Sequence, residues 1–318
     1  ELKFGVPQGS ILGPLLFNIF INDIFLFMDK AKLANYADDN TPYAIEQSID
    51  TLLKTLESET ALLLEWFHTN EMKPNENKCN LLIANHNNLS MIIGEQTINS
   101  SNSINLLGVK IDKDLNFNEH VSKLCKQGNQ KLHALARVAK YFDKDKLRLI
   151  MKAFIESQFK YCSLIWMFHS RLLNSKINRL HERALRIVYK NENLTFQELL
   201  NIDESFTIHH RNLQKLAIEM YKVKHNLSSP LINDIFKINK SKYELRNARP
   251  WDIPFIRTVA YGTDTIRYHG TQVWELVPKN IKESKDLSAF RSRIRNWKPT
   301  ECKCRLCKIY IFDLGFLG

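Results

Sequence analysis

The sequence predicts an α+β fold with a mixed first part and a mostly helical remainder. Before about residue 115, short runs typical of strands alternate with runs of helical spacing. Beyond Phe117 the apolar residues recur at helical spacing, and Lys and Arg fill the polar positions between them. We therefore place a domain boundary near residue 115 of the 318-residue chain, which is long enough to bury a substantial core.

The net charge changes sign along the chain. Residues 1–119 hold 8 Lys and Arg against 16 Asp and Glu, whereas residues 120–190 hold 16 against 4. An acidic part followed by a basic part suits a protein that holds metal ions in one place and a phosphate backbone in another. The six cysteines do not form the dense framework of a small secreted fold. We therefore expect an intracellular, reducing location in the cytoplasm, the nucleus or both.

The first predicted element is a helix over Leu15–Met28. Apolar residues cover nearly all of its faces, which predicts deep burial. The apolar run at 11–27 includes Pro14 and Asp23 and is marginal in length for a bilayer. We therefore expect neither a transmembrane helix nor a secretory signal.

A β-hairpin follows, with strands at 31–36 and 41–45 around the turn residues at 37–40. This arrangement puts Asp38 and Asp39 at the hairpin tip. Adjacent carboxylates repel each other, and hard cations such as Mg²⁺ take oxygen ligands of this kind. The pair therefore indicates a divalent-metal site, and a solvated turn is the structural alternative for an isolated pair.

Periodicity predicts the remaining elements. Helical spacing of apolar residues occurs at 47–70, 121–141, 144–166, 174–189 and 195–225. Short strands are expected at 78–84, 90–94 and 105–111. The segment from 228 to 297 is punctuated by Pro and Arg.

Basic residues recur near helical spacing in the first helix after the boundary. They are Lys123, Lys126, Lys131, Arg137 and Lys140. A face of this kind binds nucleic-acid phosphates largely without selecting a sequence, and the charge bias of the region favours that role over a merely solvated face. We interpret Tyr161, Trp166 and Phe168 as core residues rather than base-stacking platforms.

Four motifs occur in order near the start: GVPQGS at 5–10, LGPLLF at 12–17, IND at 21–23 and YADD at 36–39. In this order and spacing the chain resembles the reverse transcriptases of non-LTR (LINE-type) retrotransposons. The resemblance continues through 65–67, 75–79, 106–109, 179–184 and 302–307. It implies a polymerase palm at 1–115, a basic helical thumb at 116–190 that holds the template and primer, and a C-terminal helical region at 191–318 with a cysteine-containing tail.

The resemblance also implies a role for individual residues. Asp38 would be the principal ligand of two Mg²⁺ or Mn²⁺ ions and Asp39 its neighbour, while Lys78 would donate a proton to the leaving pyrophosphate. The implied partners are an RNA template, a DNA primer and deoxynucleotide triphosphates. The residues implied to contact nucleotide or template, besides the basic ones of the thumb, are Pro7, Gln8, Gly9, Ser10 and Tyr36.

Members of the family carry a third catalytic aspartate and a fingers subdomain before the GVPQGS loop, and this sequence starts at Glu1, just before that loop. We therefore expect a C-terminal fragment of an RNA-directed DNA polymerase that is catalytically incomplete on its own. A non-catalytic nucleic-acid-binding remnant is the alternative.

Cys302, Cys304 and Cys307 suggest a zinc site near the end of the chain. Tetrahedral zinc needs four ligands, and no histidine follows His269. Zinc is therefore not expected, although a partial site or one with a distant ligand stays open.

Overall fold

The computed structural model describes residues 5–7, 9–238, 251–252, 255–256, 262, 265–299, 302 and 304–307. The chain forms two compact units. The first unit comprises residues 1–105 and 112–114, and the second unit comprises 106–111 and 115–318. The described residues combine helices with three two-stranded sheets, which confirms the predicted α+β mixture.

The elements up to residue 112 alternate helices with short strands. The helices are α1 (Gly13–Ile21) and α2 (Ile49–Thr69), with 3₁₀ turns at Asn22–Phe27 and Glu76–Lys78. The strands are β1 (Lys32–Tyr36), β2 (Asp39–Tyr43), β3 (Ser90–Ile93), β4 (Gln96–Asn99), β5 (Ser103–Leu106) and β6 (Val109–Asp112). They pair in sequence order as β1 with β2, β3 with β4 and β5 with β6.

Helix α2 organises the first unit. Ser48 begins it by accepting a hydrogen bond from Thr51 N at 3.2 Å, as an N-cap serine does. Its buried face carries Leu63 and Trp66, which pack with Ile21 and Ile24 in one core cluster. The helix predicted at 47–70 is thus confirmed, and its apolar face provides the interior of this unit.

Glu59 connects α2 to the start of the hairpin. Its buried carboxylate accepts hydrogen bonds from Asp29 N at 2.9 Å and Lys30 N at 3.1 Å. Burial opposes the charge, but the backbone N–H groups of Lys30 and Asp29 outweigh it and hold the pKa of Glu59 below its usual value. The charged carboxylate therefore fixes the chain just before β1 begins at Lys32.

The prediction of one deeply buried helix at Leu15–Met28 is wrong. The segment divides into α1 and a 3₁₀ turn, and Ile19 and Leu26 are 66% and 83% exposed. Only a side that meets a packing partner can be buried, and α2 contacts this segment through Ile21 and Ile24 in the core described for this unit. A pattern that is apolar all round therefore overstates burial here.

Two strand predictions also need correction. Residues 78–84 form no regular strand, because Lys78 lies in a 3₁₀ turn and Leu81 makes an isolated bridge with Ser100. The strand predicted at 105–111 is interrupted by Leu107 and Gly108, whose φ values are 46° and 82°. These left-handed residues reverse the chain between β5 and β6. The strand at 90–94 is confirmed as β3.

The second unit is helical after β6. Its helices are α3 (Asn118–Val138), α4 (Lys144–Ile150), α5 (Ser163–Trp166), α6 (Arg171–Tyr189), α7 (Phe196–Ile202), α8 (Ile208–Lys224), α9 (Pro230–Ile235), α10 (Ile266–Leu276), α11 (Lys279–Lys282) and α12 (Leu287–Ile294). Helices α3 and α6 confirm the predictions at 121–141 and 174–189. None of the helices in the described ranges is long and apolar enough to cross a membrane.

Two predicted helices of this unit are divided. The segment 144–166 passes from α4 through a π turn at Met151–Ile155 and a 3₁₀ turn at Glu156–Phe159, and α5 begins after Cys162 at φ 44°. The segment 195–225 has two N-caps, Thr195 and Thr207, so α7 ends and α8 begins within it. Apolar spacing does not reveal a second cap inside a periodic run.

Candidate functional site

The acidic pair lies where the hairpin prediction placed it. Strand register pairs Tyr36 with Asp39 and Asn35 with Asn40, which leaves a two-residue turn of Ala37 and Asp38. Ala37 has φ 53°, a left-handed conformation that a residue with a Cβ rarely adopts. The turn is therefore shorter and more constrained than the four-residue turn expected.

Two asparagine side chains hold this turn. Asn35 Nδ2 donates to Ala37 O at 2.9 Å and to Asn40 Oδ1 at 2.8 Å, and Asn40 Nδ2 donates to Asp38 O at 3.4 Å. These side chains satisfy turn carbonyls that a two-residue loop leaves without strand partners. The sequence prediction placed Asn40 in the turn but missed the hydrogen bonds of both asparagines, although the asparagines that flank residues 36–39 were a usable signal.

The carboxylates of Asp38 and Asp39 are exposed. Neither has a hydrogen bond or ion pair among the residues that the structure describes. Their oxygen donors therefore fit a hard divalent cation, which binds one or two protein carboxylates and keeps waters and substrate phosphates as further ligands. No group of three potential ligands includes either aspartate within the described ranges.

Tyr36 lies beside the acidic pair. Its ring is 67% exposed, and its backbone faces Asp39 across the hairpin. The structure thus brings Tyr36, Asp38 and Asp39 together on one element.

The opening loop forms a turn before α1. Ser10 N donates to Pro7 O at 3.2 Å, and Gly9 has φ 84°, which glycine adopts without strain. Ser10 Oγ accepts from Gly13 N at 2.9 Å, so its hydroxyl has a structural role at the helix start. Gln8 lies outside the described residues.

Lys78 is exposed at the end of the 3₁₀ turn Glu76–Lys78. Among the described residues, no ion pair joins its ammonium to Asp38 or Asp39. Its role as a proton donor stays a prediction.

Helix α3 presents a basic face to solvent. Lys123, Lys126 and Arg137 are exposed and lie opposite the buried face that includes Val121 and Leu132. No acidic side chain in the described ranges pairs with these three cations. These three cations therefore form one exposed basic face of α3.

The other two residues of the predicted face lie elsewhere. Lys131 is half-buried and lies about 140° around the helix from Lys126, as 3.6 residues per turn requires. Lys140 follows the end of α3 and stands 4.8 Å from the centroid of the Tyr141 ring. The single face of five residues is therefore corrected to a face of three.

A second basic face lies on α6. Lys176, Arg179 and Arg183 are exposed, and their spacing of three and then four residues puts them on one side of the helix. Leu173 and Ile177 are buried on the other side. Sequence reasoning did not single out these cations, although their spacing was the available signal.

The C-terminal cysteines lie close to a histidine that precedes them by about 95 residues in the sequence. His209 Nε2 lies 3.2 Å from Cys304 Sγ, and Cys307 belongs to the same buried group. His209 is therefore a candidate for the distant ligand that the sequence prediction left open.

The comparisons with known proteins give the class first. Residues 1–111 match the family model described as Reverse transcriptase (RNA-dependent DNA polymerase). This range contains the opening loop, the acidic hairpin and Lys78. The match supports a reverse transcriptase.

Curated relatives then specify the kind of element. The chain is similar to the RNA-directed DNA polymerase from mobile element jockey of Drosophila melanogaster, with 26% identity over 130 residues, 38% of this chain and 14% of the relative. It is also similar to the probable RNA-directed DNA polymerases from transposon BS and from transposon X-element of the same species. The transposon BS protein is 25% identical over 59% of this chain and 22% of its own length. The X-element protein is 24% identical over 58% of this chain and 21% of its own length.

The chain spans less than a quarter of the length of these relatives. Because the transposon BS match covers 59% of the chain, the similarity extends beyond residue 111 into the second unit. No solved structure matches. The matches support a sequence from a retrotransposon reverse transcriptase.

Proposed function

We propose that this chain supplies part of the RNA-directed DNA polymerase of a non-LTR retrotransposon. In this proposal residues 1–115 are palm, 116–190 are thumb and 191–318 are the C-terminal region. The observation that carries it is the pair Asp38 and Asp39, exposed and unpaired among the described residues on a constrained hairpin tip, within the range that matches the reverse transcriptase family.

The proposed site holds Mg²⁺ or Mn²⁺ through oxygen ligands from Asp38 and Asp39. Bound there, two ions would supply activation of the primer 3′ hydroxyl and charge stabilisation of the departing pyrophosphate. The asparagines at 35 and 40 hold the backbone of the turn from which both carboxylates project. Lys78 would give a proton to the pyrophosphate as it leaves.

The remaining assignments concern the nucleic acid. Pro7, Gln8, Gly9 and Ser10 form the surface against which template and incoming deoxynucleotide rest, and Tyr36 places its ring by the primer end. The basic faces of α3 and α6 bind the phosphates of an RNA–DNA duplex, a contact that follows charge rather than sequence. The partners are therefore an RNA template and a DNA primer.

A second candidate is a nucleic-acid-binding protein without polymerase activity. It is favoured by the absence, among the described residues, of a third potential metal ligand grouped with Asp38 and Asp39. With two carboxylates alone, the 318-residue polypeptide is expected to bind Mn²⁺ weakly and to extend no primer.

Metal binding tests the role of the acidic pair. Titration of Mn²⁺ followed by electron paramagnetic resonance is expected to show a site in the wild-type chain that weakens about tenfold or more in Asp38→Asn, because a ligand is lost. Glu95→Gln, which neutralises an exposed acid at another turn, is the matched control and should leave the site unchanged. Equal Mn²⁺ binding in all three proteins would contradict the proposed site.

Primer extension tests whether the 318-residue polypeptide polymerises on its own. The assay uses an RNA template, a DNA primer, Mg²⁺ and the four deoxynucleotides, with Asp38→Ala as the control. Product from the wild-type chain above that control would establish polymerase activity and exclude the non-catalytic candidate. We expect nucleic acid binding without product for the 318-residue polypeptide.

A further inference from the structure

Four potential zinc ligands are buried in the second unit, and three of them form one close group. Cys302, Cys304 and Cys307 are all buried, and so is His209, the second residue of α8. One donor atom from each of His209, Cys304 and Cys307 lies within 4.8 Å of the others. All three cysteines are free thiols.

Local structure holds His209, Cys304 and Cys307 in place. Thr207 caps α8 by accepting from His210 N at 3.2 Å, which fixes the first turn that carries His209. Cys307 N donates to Cys304 O at 3.1 Å and lies 3.4 Å from Cys304 Sγ, so a tight turn brings the two sulfurs together. An amide aimed at a sulfur stabilises that sulfur as a thiolate.

Arg305 anchors the same turn from outside. Its Nη2 donates to Phe168 O and to His169 O, each at 3.1 Å. The turn is therefore attached both to the loop before α6 and to the start of α8. This attachment keeps the cysteines inside the core cluster that also contains Trp274 and Phe290.

We propose that Cys302, Cys304, Cys307 and His209 form a structural zinc site. Three thiolates and one imidazole are a donor set that zinc takes in closed tetrahedral sites, and soft sulfur ligands select it over magnesium. Zinc–sulfur bonds of about 2.3 Å place tetrahedral ligand atoms about 3.8 Å apart. The donor atoms of His209, Cys304 and Cys307, which lie within 4.8 Å of one another, need side-chain movements to reach that geometry. The Cys302 thiol interacts with the thiols of Cys304 and Cys307 but lies outside that group, so it must move closer to His209.

A metal explains the histidine better than packing does. Thiols alone pack as small apolar groups, but a buried imidazole needs polar partners. His209 Nδ1 has no hydrogen-bond partner in the described part of the chain, and Nε2 faces a sulfur, which is a weak partner for a ring nitrogen. Coordination through Nε2 would give this ring a strong bond and each thiolate a counter-charge.

The site is structural because all four ligands come from the protein and are buried. It joins residues 302–307 to α8 across about 95 positions of sequence and thereby closes the core cluster on which α8, α10 and α12 pack. Removal of zinc is therefore expected to lower the melting temperature of the chain.

Elemental analysis of the full 318-residue chain, purified from zinc-supplemented culture, tests the proposal. We expect about one zinc per wild-type chain, loss of most of it in Cys304→Ser, and full retention in Cys125→Ser, which changes a buried cysteine of another core cluster. The same zinc content in Cys304→Ser and wild type would overturn the site. So would a folded wild-type chain without zinc.

Cobalt substitution keeps the proposal testable if Cys304→Ser does not fold. The wild-type chain is stripped with a chelator and titrated with Co²⁺, which is expected to give tetrahedral d–d bands and thiolate charge-transfer absorption. His209→Gln should alter the d–d bands while keeping the charge-transfer absorption, whereas His225→Gln should change neither. Absence of both absorptions, or a disulfide among the three cysteines detected by mass spectrometry, would overturn the proposal.

Discussion

The Glu156 carboxylate lies inside the second unit and is 2% exposed. Both terminal guanidinium nitrogens of Arg211 contact it, with Nη2 at 3.1 Å from Oε1, and His181 Nε2 lies 3.4 Å from the same oxygen. Burial opposes the charge, but His181 and Arg211 outweigh it and hold the pKa of Glu156 well below its usual range. The folded chain therefore keeps this carboxylate ionised in its interior.

Glu156→Gln is expected to lower the free energy of unfolding by about 3 kcal/mol at pH 7, because it leaves the Arg211 charge without its buried partner. The folded pKa of Glu156 is depressed, so its contribution is present above the ordinary pKa of about 4.5 and is lost as the pH falls below that value. Urea unfolding followed by circular dichroism between pH 7 and about pH 3.5 measures both effects.

Glu182→Gln is the matched control, since Glu182 forms a half-exposed pair with Arg186 on α6. This variant should lower the free energy of unfolding by less than about 1 kcal/mol. Two results would contradict this role of Glu156. One is an equal loss of unfolding free energy in the two variants at pH 7. The other is an unfolding free energy of Glu156→Gln that falls as steeply with pH below 4.5 as that of the wild type.

Single residues were predicted from the sequence where the reason is local. Asp38 and Asp39 lie at a hairpin tip as expected, and Trp166 is buried as expected. Tyr161 was assigned to the core but is 54% exposed, with its hydroxyl donating to Leu107 O at 2.7 Å. Pairs such as Glu156 with Arg211 join residues 55 positions apart, and nothing in local composition identifies such partners.

Helices α3 and α6 cross closely at Gly128. A Cβ at this position would lie 2.5 Å from Leu180 Cδ1 and 2.8 Å from Gln158 Nε2. Leu180 is buried, so its side chain has little space into which to move. The glycine therefore sets how near the two helices approach. By helix propensity alone, a glycine inside α3 would be judged destabilising.

Gly128→Ala is expected to lower stability by about 1 kcal/mol, because overpacking of about 1–3 kcal/mol exceeds the helix propensity gained. Adding Leu180→Val should recover part of the loss by removing the clashing atom, so the two changes should be non-additive. Thermal unfolding of the single and double variants measures the coupling free energy between positions 128 and 180. Gln130→Ala on the exposed side of α3 is the control. If Gly128→Ala raised stability as much as Gln130→Ala or more, close packing at Gly128 would be refuted.

Elements were predictable where one periodicity runs between clear ends. Helices α2, α3 and α6 match their predicted segments, because each has a continuous apolar face. The segment 144–166 looks equally periodic, yet it breaks at a π turn and at Cys162 with φ 44°. Apolar spacing alone does not mark such a break, since the residues remain compatible with a buried helix face.

At the scale of the whole molecule, the division of charge was visible in the sequence and locates the expected nucleic-acid surface. Residues 120–190 hold 16 basic against 4 acidic side chains. The structure adds which cations are exposed on the same helix face, one set on α3 and another on α6. It also removes Lys131 from that group, because its side is turned toward the buried face.

The combined variant Lys123→Ala, Lys126→Ala, Arg137→Ala tests this surface. Each phosphate contact contributes about 0.9 to the slope of log affinity against log salt for a DNA duplex, so the slope for an RNA–DNA duplex should fall in magnitude by about 2–3. The control Lys54→Ala, Lys73→Ala, Lys285→Ala removes three exposed lysines that belong to neither α3 nor α6, and it changes the net charge equally. Fluorescence anisotropy from about 50 to 200 mM salt measures both. Equal slopes would mean that net charge alone binds the duplex, whereas a loss confined to the α3 variant would place phosphates on that helix face.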